Sequence, residues 1–543
     1  MLPLQRPLAL TAMFAILFGL LLPSNALAQA PTVTWSEPEP VGEELSTSWF
    51  PEIHADQYGT VRLVWESVHD AADTSVDEAN GGAVMLSELR AGAWTQPSDI
   101  YIKDVLNAAR PILASDEKYL HLISRSPRPD GRITIQALSA MYYMHAPLTS
   151  DATDAGSWSQ PIRLTSGPAY WAQIQSLGGG RLVVIYNQVI DPASGEDTVD
   201  ASSSQTKTAL FARVSDDYGA SWGQPTRISS TENRVARSSL VTSPVDGTLI
   251  LAWDEGYDNL TGQGEAAGIF TAISTDSGST WDVAGRLDDL DPSERWASHA
   301  SRGSVEQSTL VATQTTAMLV YRATVDDVLL YRLSSDQGRS WSEEQEVPLA
   351  VPREFTGPHH FDKLGLAADG DGRIILVFVG QDEGTESGLS VQSMTFEEGT
   401  WSGPSVVAAP EGYPEYPRLT ITHGNQVILT YFVRDVIYVD GGHYVIWTAL
   451  GTTPARAVPP APLPAASADG DNDIATPSEI RSEVEIMPYP TVSEETEAVA
   501  TSGPLESPSS TISRPLMWAS LLTIGFLAIS IVVFRSLKKL TGF

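Results

Sequence analysis

Four arginines stand immediately before short runs of β-type residues: Arg110 before Pro111-Ile112, Arg237 before Ser238-Ser239-Leu240, Arg302 before Gly303-Ser304-Val305 and Arg418 before Leu419-Thr420-Ile421. A guanidinium is a planar fork that binds a carboxylate bidentately, so several of them brought to one place form a local anion site. Surface arginines paired with local acids are the alternative reading. Tyr170, Trp171, Tyr257 and Trp296 fall in or near connections between such runs; each is a candidate to stack on a sugar ring or to pack between sheets. His359-His360 and the acidic stretch Asp254 to Glu265 carry hard-metal ligand types, but neither has His-x-x-x-His or calcium-loop spacing. No metal and no cofactor is expected. The absence of Cys excludes thiolate zinc sites, iron–sulfur clusters, disulfide frameworks and cysteine nucleophiles.

The elements that must position these residues follow from a repeat. A Trp followed by a small or polar residue, often with Pro three positions on, recurs at Trp35, Trp94, Trp158, Trp222, Trp281, Trp341 and Trp401, with spacings of 59, 64, 64, 59, 60 and 60. Ahead of most of them lie two short β-type runs around a turn, as in Asp246-Gly247-Thr248 leading into Leu249 to Trp253, and no long segment of helical period appears between them. Units of about four strands in series predict an all-β chain folded as a β-propeller, with seven blades favoured and six as the alternative. The first Trp precedes any paired strands and the last strands follow Trp401. The ring is therefore expected to close by residues 32–41 completing a blade begun by residues 417–450, which protects both sheet edges.

Ser215-x-Asp217-x-Gly219-x-Ser221-Trp222, Ser274-x-Asp276-x-Gly278-x-Thr280-Trp281 and Ser334-x-Asp336-x-Gly338-x-Ser340-Trp341 share one pattern, and Asp154 to Trp158 is a degenerate copy. It reads as a hairpin turn in which the carboxylate accepts backbone N–H bonds, Gly takes positive φ and Trp packs between sheets. The pattern resembles the Asp box of the sialidase-like (BNR-repeat) β-propellers, over roughly Trp35 to Leu450. The resemblance implies an exo-sialidase-type glycosidase with three arginines on the substrate carboxylate, a Tyr nucleophile activated by a Glu, and an Asp acid on a loop. On that basis Tyr416, with Tyr413 nearby, is the candidate nucleophile, Glu255 its partner, and Asp56 the acid, although Asp56 to Gly59 also reads as a hairpin turn. Arg110, Arg237, Arg302 and Arg418 are the substrate-binding candidates. The Phe/Tyr-Arg-Ile-Pro motif of the family is absent, with Trp49-Phe50-Pro51-Glu52-Ile53 in the first repeat. Sialidases of this type have six blades, so seven departs from their pattern.

With 67 acidic and 33 basic residues the formal charge is −34, a field that repels phosphate backbones and excludes a nucleic-acid partner. At 42% hydrophobic and 18% charged, most of the chain is expected to fold. Residues 1–28 read as a signal peptide and residues 451–514 as a disordered stalk rich in Pro, Ser, Thr and Glu. Residues 515–535 read as a transmembrane helix and 536–543 as a short cytoplasmic tail, since Arg535, Lys538 and Lys539 follow a charge-free run from Leu516 to Phe534. The sequence thus predicts a single-pass protein of the cell membrane with its propeller, residues 32–450, on the extracytoplasmic side. Its expected partner is an extracellular, acidic glycan or glycoconjugate that it binds and, if enzymatic, hydrolyses as a glycoside hydrolase. The alternative is a non-catalytic binding or scaffold propeller of the cell envelope with a protein partner.

Overall fold

The computed structural model describes residues 33–42, 48–69, 81–103, 110–127, 139–190, 207–229, 235–258, 263–287, 305–323, 327–353, 364–435 and 444–462. The chain divides into two units, Met1–Ala466 and Ser467–Phe543, and all the described residues belong to the first. The expected signal peptide, transmembrane helix and cytoplasmic tail lie outside the described residues, as does most of the expected stalk. Among the described residues no helix is long and apolar enough to cross a membrane.

Short runs rich in β-branched and aromatic residues, nearly continuous where both faces are buried as in Ala317–Ala323 and Ile374–Gln381, and bounded by Gly, Asp or Ser turns, form seven antiparallel sheets. Blade I starts with the innermost strand Ser48–Ala55, blade II with Ile112–Ser115, blade III with Ala169–Gly178, blade IV with Val235–Thr242, blade V with Val305–Ala312, blade VI with Gly365–Ala368 and blade VII with Tyr413–Thr422. In each blade the second and third strands pair outward in chain order, and the innermost strands touch their neighbours around a closed ring. The expectation of a seven-bladed propeller holds.

The ring closes as the sequence predicts. Thr34–Trp35 and Glu39–Val41 pair antiparallel with Tyr444–Thr452, so the N-terminal residues finish blade VII. After Thr452 the chain does not leave the propeller at once. The Thr453 amide donates to Asn425 O at 2.9 Å, that of Val458 to His423 O at 2.8 Å and that of Ala461 to Gln57 O at 3.1 Å, and Thr453 and Ala455 are buried. The packed region therefore runs past the expected boundary at 450 as far as residue 462.

The core lies between blades rather than within one layer. Ile123, Tyr143, Val184 and Tyr186 fill the junction of blades II and III, Leu251 and Trp253 meet Val183 and Ile185 between III and IV, and Phe50, Trp65, Tyr416 and Phe432 join I to VII. Asp boxes stand at the junctions II–III, III–IV and IV–V, where Gly219 abuts Tyr143, Gly278 abuts Val183 and Gly338 abuts Ile250. Asp276 accepts from the Thr280 amide at 2.9 Å and the Thr280 hydroxyl at 2.6 Å, while Ser274 Oγ accepts from the Gly278 amide at 2.8 Å. Gly278 has φ +85°, and a Cβ there would stand 2.7 Å from the Val183 side chain of blade III. Both the turn and the close approach require glycine.

Candidate functional site

One backbone irregularity builds the site. In blades I, III, IV, V and VII the innermost strand takes a three-residue step against a two-residue step on its neighbour: Trp49 to Glu52, Ala169 to Ala172, Val235 to Ser238, Glu306 to Thr309 and Glu415 to Arg418. Each is a β-bulge, which bends the strand and re-aims its side chains. Phe50, Gln307 and Tyr416 sit in these bulges at φ of 53°, 64° and 59°, a conformation costly for bulky residues and held only by well-packed surroundings. Polar groups of the second strands clamp the bulges. Asp254 accepts the Gln307 and Ser308 amides at 2.8 and 3.1 Å, and Asn187 Oδ1 accepts the Trp171 amide at 2.8 Å. Asp254, at the head of the acidic stretch considered for metal, thus works as a backbone clamp. Among the described residues no group of three or more metal-ligating side chains is placed to hold an ion.

At the junction of blades I and VII the bulges bring together Glu52, Tyr416 and Arg418, with Arg110 from blade II. The Tyr416 hydroxyl donates to Glu52 Oε1 at 2.8 Å, Arg418 Nε donates to the same oxygen at 3.0 Å, and Arg110 Nε lies 3.3 Å from it. Arg110 Nη2 donates to Ala172 O at 2.8 Å. The Arg418 guanidinium lies over the Tyr416 ring, 3.7 Å from its centroid. Arg418 Nη2 is buried and has no hydrogen-bond partner among the described residues, a donor of the kind that a ligand satisfies. Trp171 links the cluster to blade IV, with Arg110 5.1 Å and Arg237 5.7 Å from its ring centroid. Arg237 is 2% exposed.

The electrostatics follow from this crowding. Burial opposes ionisation of Glu52, but Arg110, Arg418 and the bond from Tyr416 more than offset it and hold the carboxyl below its usual range. Burial pushes the Tyr416 phenol up, and the two guanidiniums offset that only in part. The pair is therefore a neutral phenol donating to an ionised carboxylate, the arrangement in which the carboxylate can accept the phenolic proton. Glu52 keeps a side chain 16% exposed, whereas Tyr416 is 1% exposed.

Three of the four arginines singled out from sequence, Arg110, Arg237 and Arg418, share this connected cluster, while Arg302, Trp296, His359 and His360 lie outside the described residues. Two candidates have other partners. The carboxylate bonded to Tyr416 is Glu52, not Glu255, whose buried Oε1 instead accepts Trp253 Nε1 at 2.8 Å. Asp56 lies beyond the end of its strand, where it accepts the Tyr58 and Thr60 amides, both at 2.9 Å, and pairs with Arg62 at 2.7 Å. Asp116 and Asp369 form the same turn in blades II and VI, so Asp56 is a turn residue and not a free acid. Tyr413 opens its strand opposite Arg434. Tyr170 and Tyr257 belong to strands Ala169–Gly178 and Leu249–Asp258. Sequence reasoning missed Glu52 and the second-strand clamps. The signal for Glu52 was the parallel between Phe50-Pro51-Glu52 and Tyr416-Pro417-Arg418.

Among solved structures, the chain is similar to the NanB sialidase of Streptococcus pneumoniae at 12% identity, covering 77% of this chain and 70% of that one with a TM-score of 0.42. It is similar to an ulvan lyase at 10% identity, covering 77% and 94% with a TM-score of 0.47. It is likewise similar to a Dyadobacter fermentans protein of unknown function at 14%, covering 78% and 100% with a TM-score of 0.43. Likenesses this distant carry no argument about activity. No curated protein matches the sequence. The family model described as a BNR repeat-like domain matches residues 148–429, more than half of the chain. With three Asp boxes inside that span and seven blades around it, the chain belongs to the BNR repeat-like, sialidase-like β-propeller family.

Proposed function

We propose that the cluster at the junction of blades I and VII binds a carboxylate-bearing extracellular glycan and hydrolyses its terminal glycosidic bond with Tyr416 as nucleophile and Glu52 as base. The observation that carries this reading is the 2.8 Å bond from the Tyr416 hydroxyl to Glu52, flanked by Arg110 and Arg418. Arg418 Nη2 and Arg237 would hold the substrate carboxylate. Tyr416 Oη would then attack the anomeric carbon as its proton passes to Glu52 and the glycosidic oxygen departs with the bonding pair. In a second step water oxygen would bond to the anomeric carbon as the glycosyl–tyrosine bond breaks; the phenolate would recover its proton from Glu52, and the proton lost by the water would pass through solvent to the departed aglycone oxygen. Residues 1–28 and the apolar run 516–534 support export and anchoring in the cell membrane, with this site outside.

Non-catalytic binding is the second reading, favoured by the low exposure of Tyr416 and by the commitment of Asp56, the candidate acid, to its turn. An aryl sialoside, whose phenolate leaves without protonation, separates the two. The enzyme reading predicts aryl release that Tyr416→Phe abolishes while ligand binding persists, with alkyl sialosides cleaved far more slowly. Binding without aryl release would establish the second reading.

A further inference from the structure

Away from the mouth, the Asp box of blade III opens onto a cavity of about 440 Å³, lined by Arg181, Asp216, Ser221, Trp222 and Gln224 of that blade and by Ser279 from the box of blade IV. Its size suits a small ligand. Its origin is a size difference between repeats. In the box of blade V the residue matching Ser279 is the longer Arg339, which reaches back to Asp246 at 3.3 Å and Thr248 at 3.4 Å of blade IV. Between blades III and IV the direction is reversed. Arg181 reaches forward, pairing with Asp216 at 2.6 Å, donating to Ser279 Oγ at 2.6 Å and to Ser277 O at 3.1 Å, and the short Ser279 leaves room above it.

The lining has the chemistry of sugar recognition. The half-buried Trp222 is held in place by an edge-on contact with Tyr143, ring centroids 5.2 Å apart, and presents an apolar surface of the kind that stacks on the C–H face of a pyranose. Around it stand a paired guanidinium and carboxylate, an amide and hydroxyls, groups that bond vicinal hydroxyls in both senses. Arg181 pairs with Asp216, and the box carboxylate Asp217, which also lines the cavity, is held by the Ser215 hydroxyl and by the Ser221 amide and hydroxyl. With no unpaired cation the lining repels anions and suits an uncharged polyhydroxy ligand, unlike the arginine cluster at the mouth. We propose that this cavity is a second glycan-binding site, separate from the mouth, that takes one neutral pyranose unit.

The test is saturation-transfer NMR on the full-length protein with methyl glucoside, galactoside, mannoside and N-acetylglucosaminide. At least one should receive saturation from the protein. Ser279→Arg, which copies the longer residue of blade V, should reduce that signal at least tenfold without changing the thermal midpoint, and Arg418→Ala should leave it intact. Gln224→Ala, at an exposed position, should weaken it severalfold and decides the matter if Ser279→Arg fails to fold. No transfer to any of the four sugars up to about 50 mM, equal binding by wild type and the folded cavity variants, or loss in Arg418→Ala would overturn the proposal. The last result would place the sugar at the mouth.

Discussion

Glu52 and Tyr416 are 364 residues apart in sequence and share a hydrogen bond because ring closure sets blade VII beside blade I. Single-residue reasoning found Tyr416, Arg418, Arg110 and Arg237 because each stands in or just before the first half of an innermost strand or beside its bulge. It missed Glu52 because a carboxylate in a Phe-Pro-Glu tripeptide carries no mark of its partner until the bulges align. The guanidiniums that hold Glu52 below its ordinary value of 4.5 also make it a stability element. A carboxylate with a depressed folded-state pKa stabilises fully above the unfolded value, and that contribution is lost as pH falls through the folded one. Wild type should therefore keep its margin over Glu52→Gln between pH 5 and 8 and lose it only on acidification below about pH 4.5. At pH 7 the substitution should cost about 3–5 kcal/mol, since it leaves two buried guanidiniums without their counter-ion. Chemical denaturation across that pH range measures both, and a margin that grows towards acid pH would refute the account of Glu52.

At the scale of elements, the Asp box was readable in full because its residues lie within one turn, where spacing determines contact. The bulges were not, since a bulge is a mismatch between two strands and only pairing reveals it. The box carboxylate accepts its turn amide as the pattern predicts, but in an exposed place. The Asp276 side chain and the amide it serves are exposed, so Asp276→Ala should cost only about 1 kcal/mol. Gly278→Ala introduces a Cβ 2.7 Å from Val183 at φ +85° and should cost more, about 2–3 kcal/mol. Urea midpoints of the two variants should fall in that order. The reverse order would mean that the carboxylate, not the close approach of the blades, secures the turn.

For the molecule as a whole, the seven-fold repeat and its closure were legible because Trp spacing and leftover strands at both ends are properties of the entire sequence. The packing of residues 453–462 onto the propeller was not, because its Pro- and Ala-rich composition resembles the stalk that follows. Deleting residues 33–42 should expose the edge of Tyr444–Thr452 and remove Trp35 from its seat against Gly451. The expected outcome is a less cooperative unfolding transition and concentration-dependent association, read by calorimetry and light scattering. An unaltered transition would mean that the ring does not depend on this closure. The central claim is that the converging guanidiniums recognise a sugar carboxylate. Calorimetric titration with N-acetylneuraminic acid and with its methyl ester tests it, because the two ligands differ in that charge and little else. The acid should bind at least tenfold more tightly than the ester, as a charge-assisted bond of about 1.5–3 kcal/mol requires, and Arg418→Ala should remove the difference. Equal affinity of acid and ester for the wild-type protein would contradict the account.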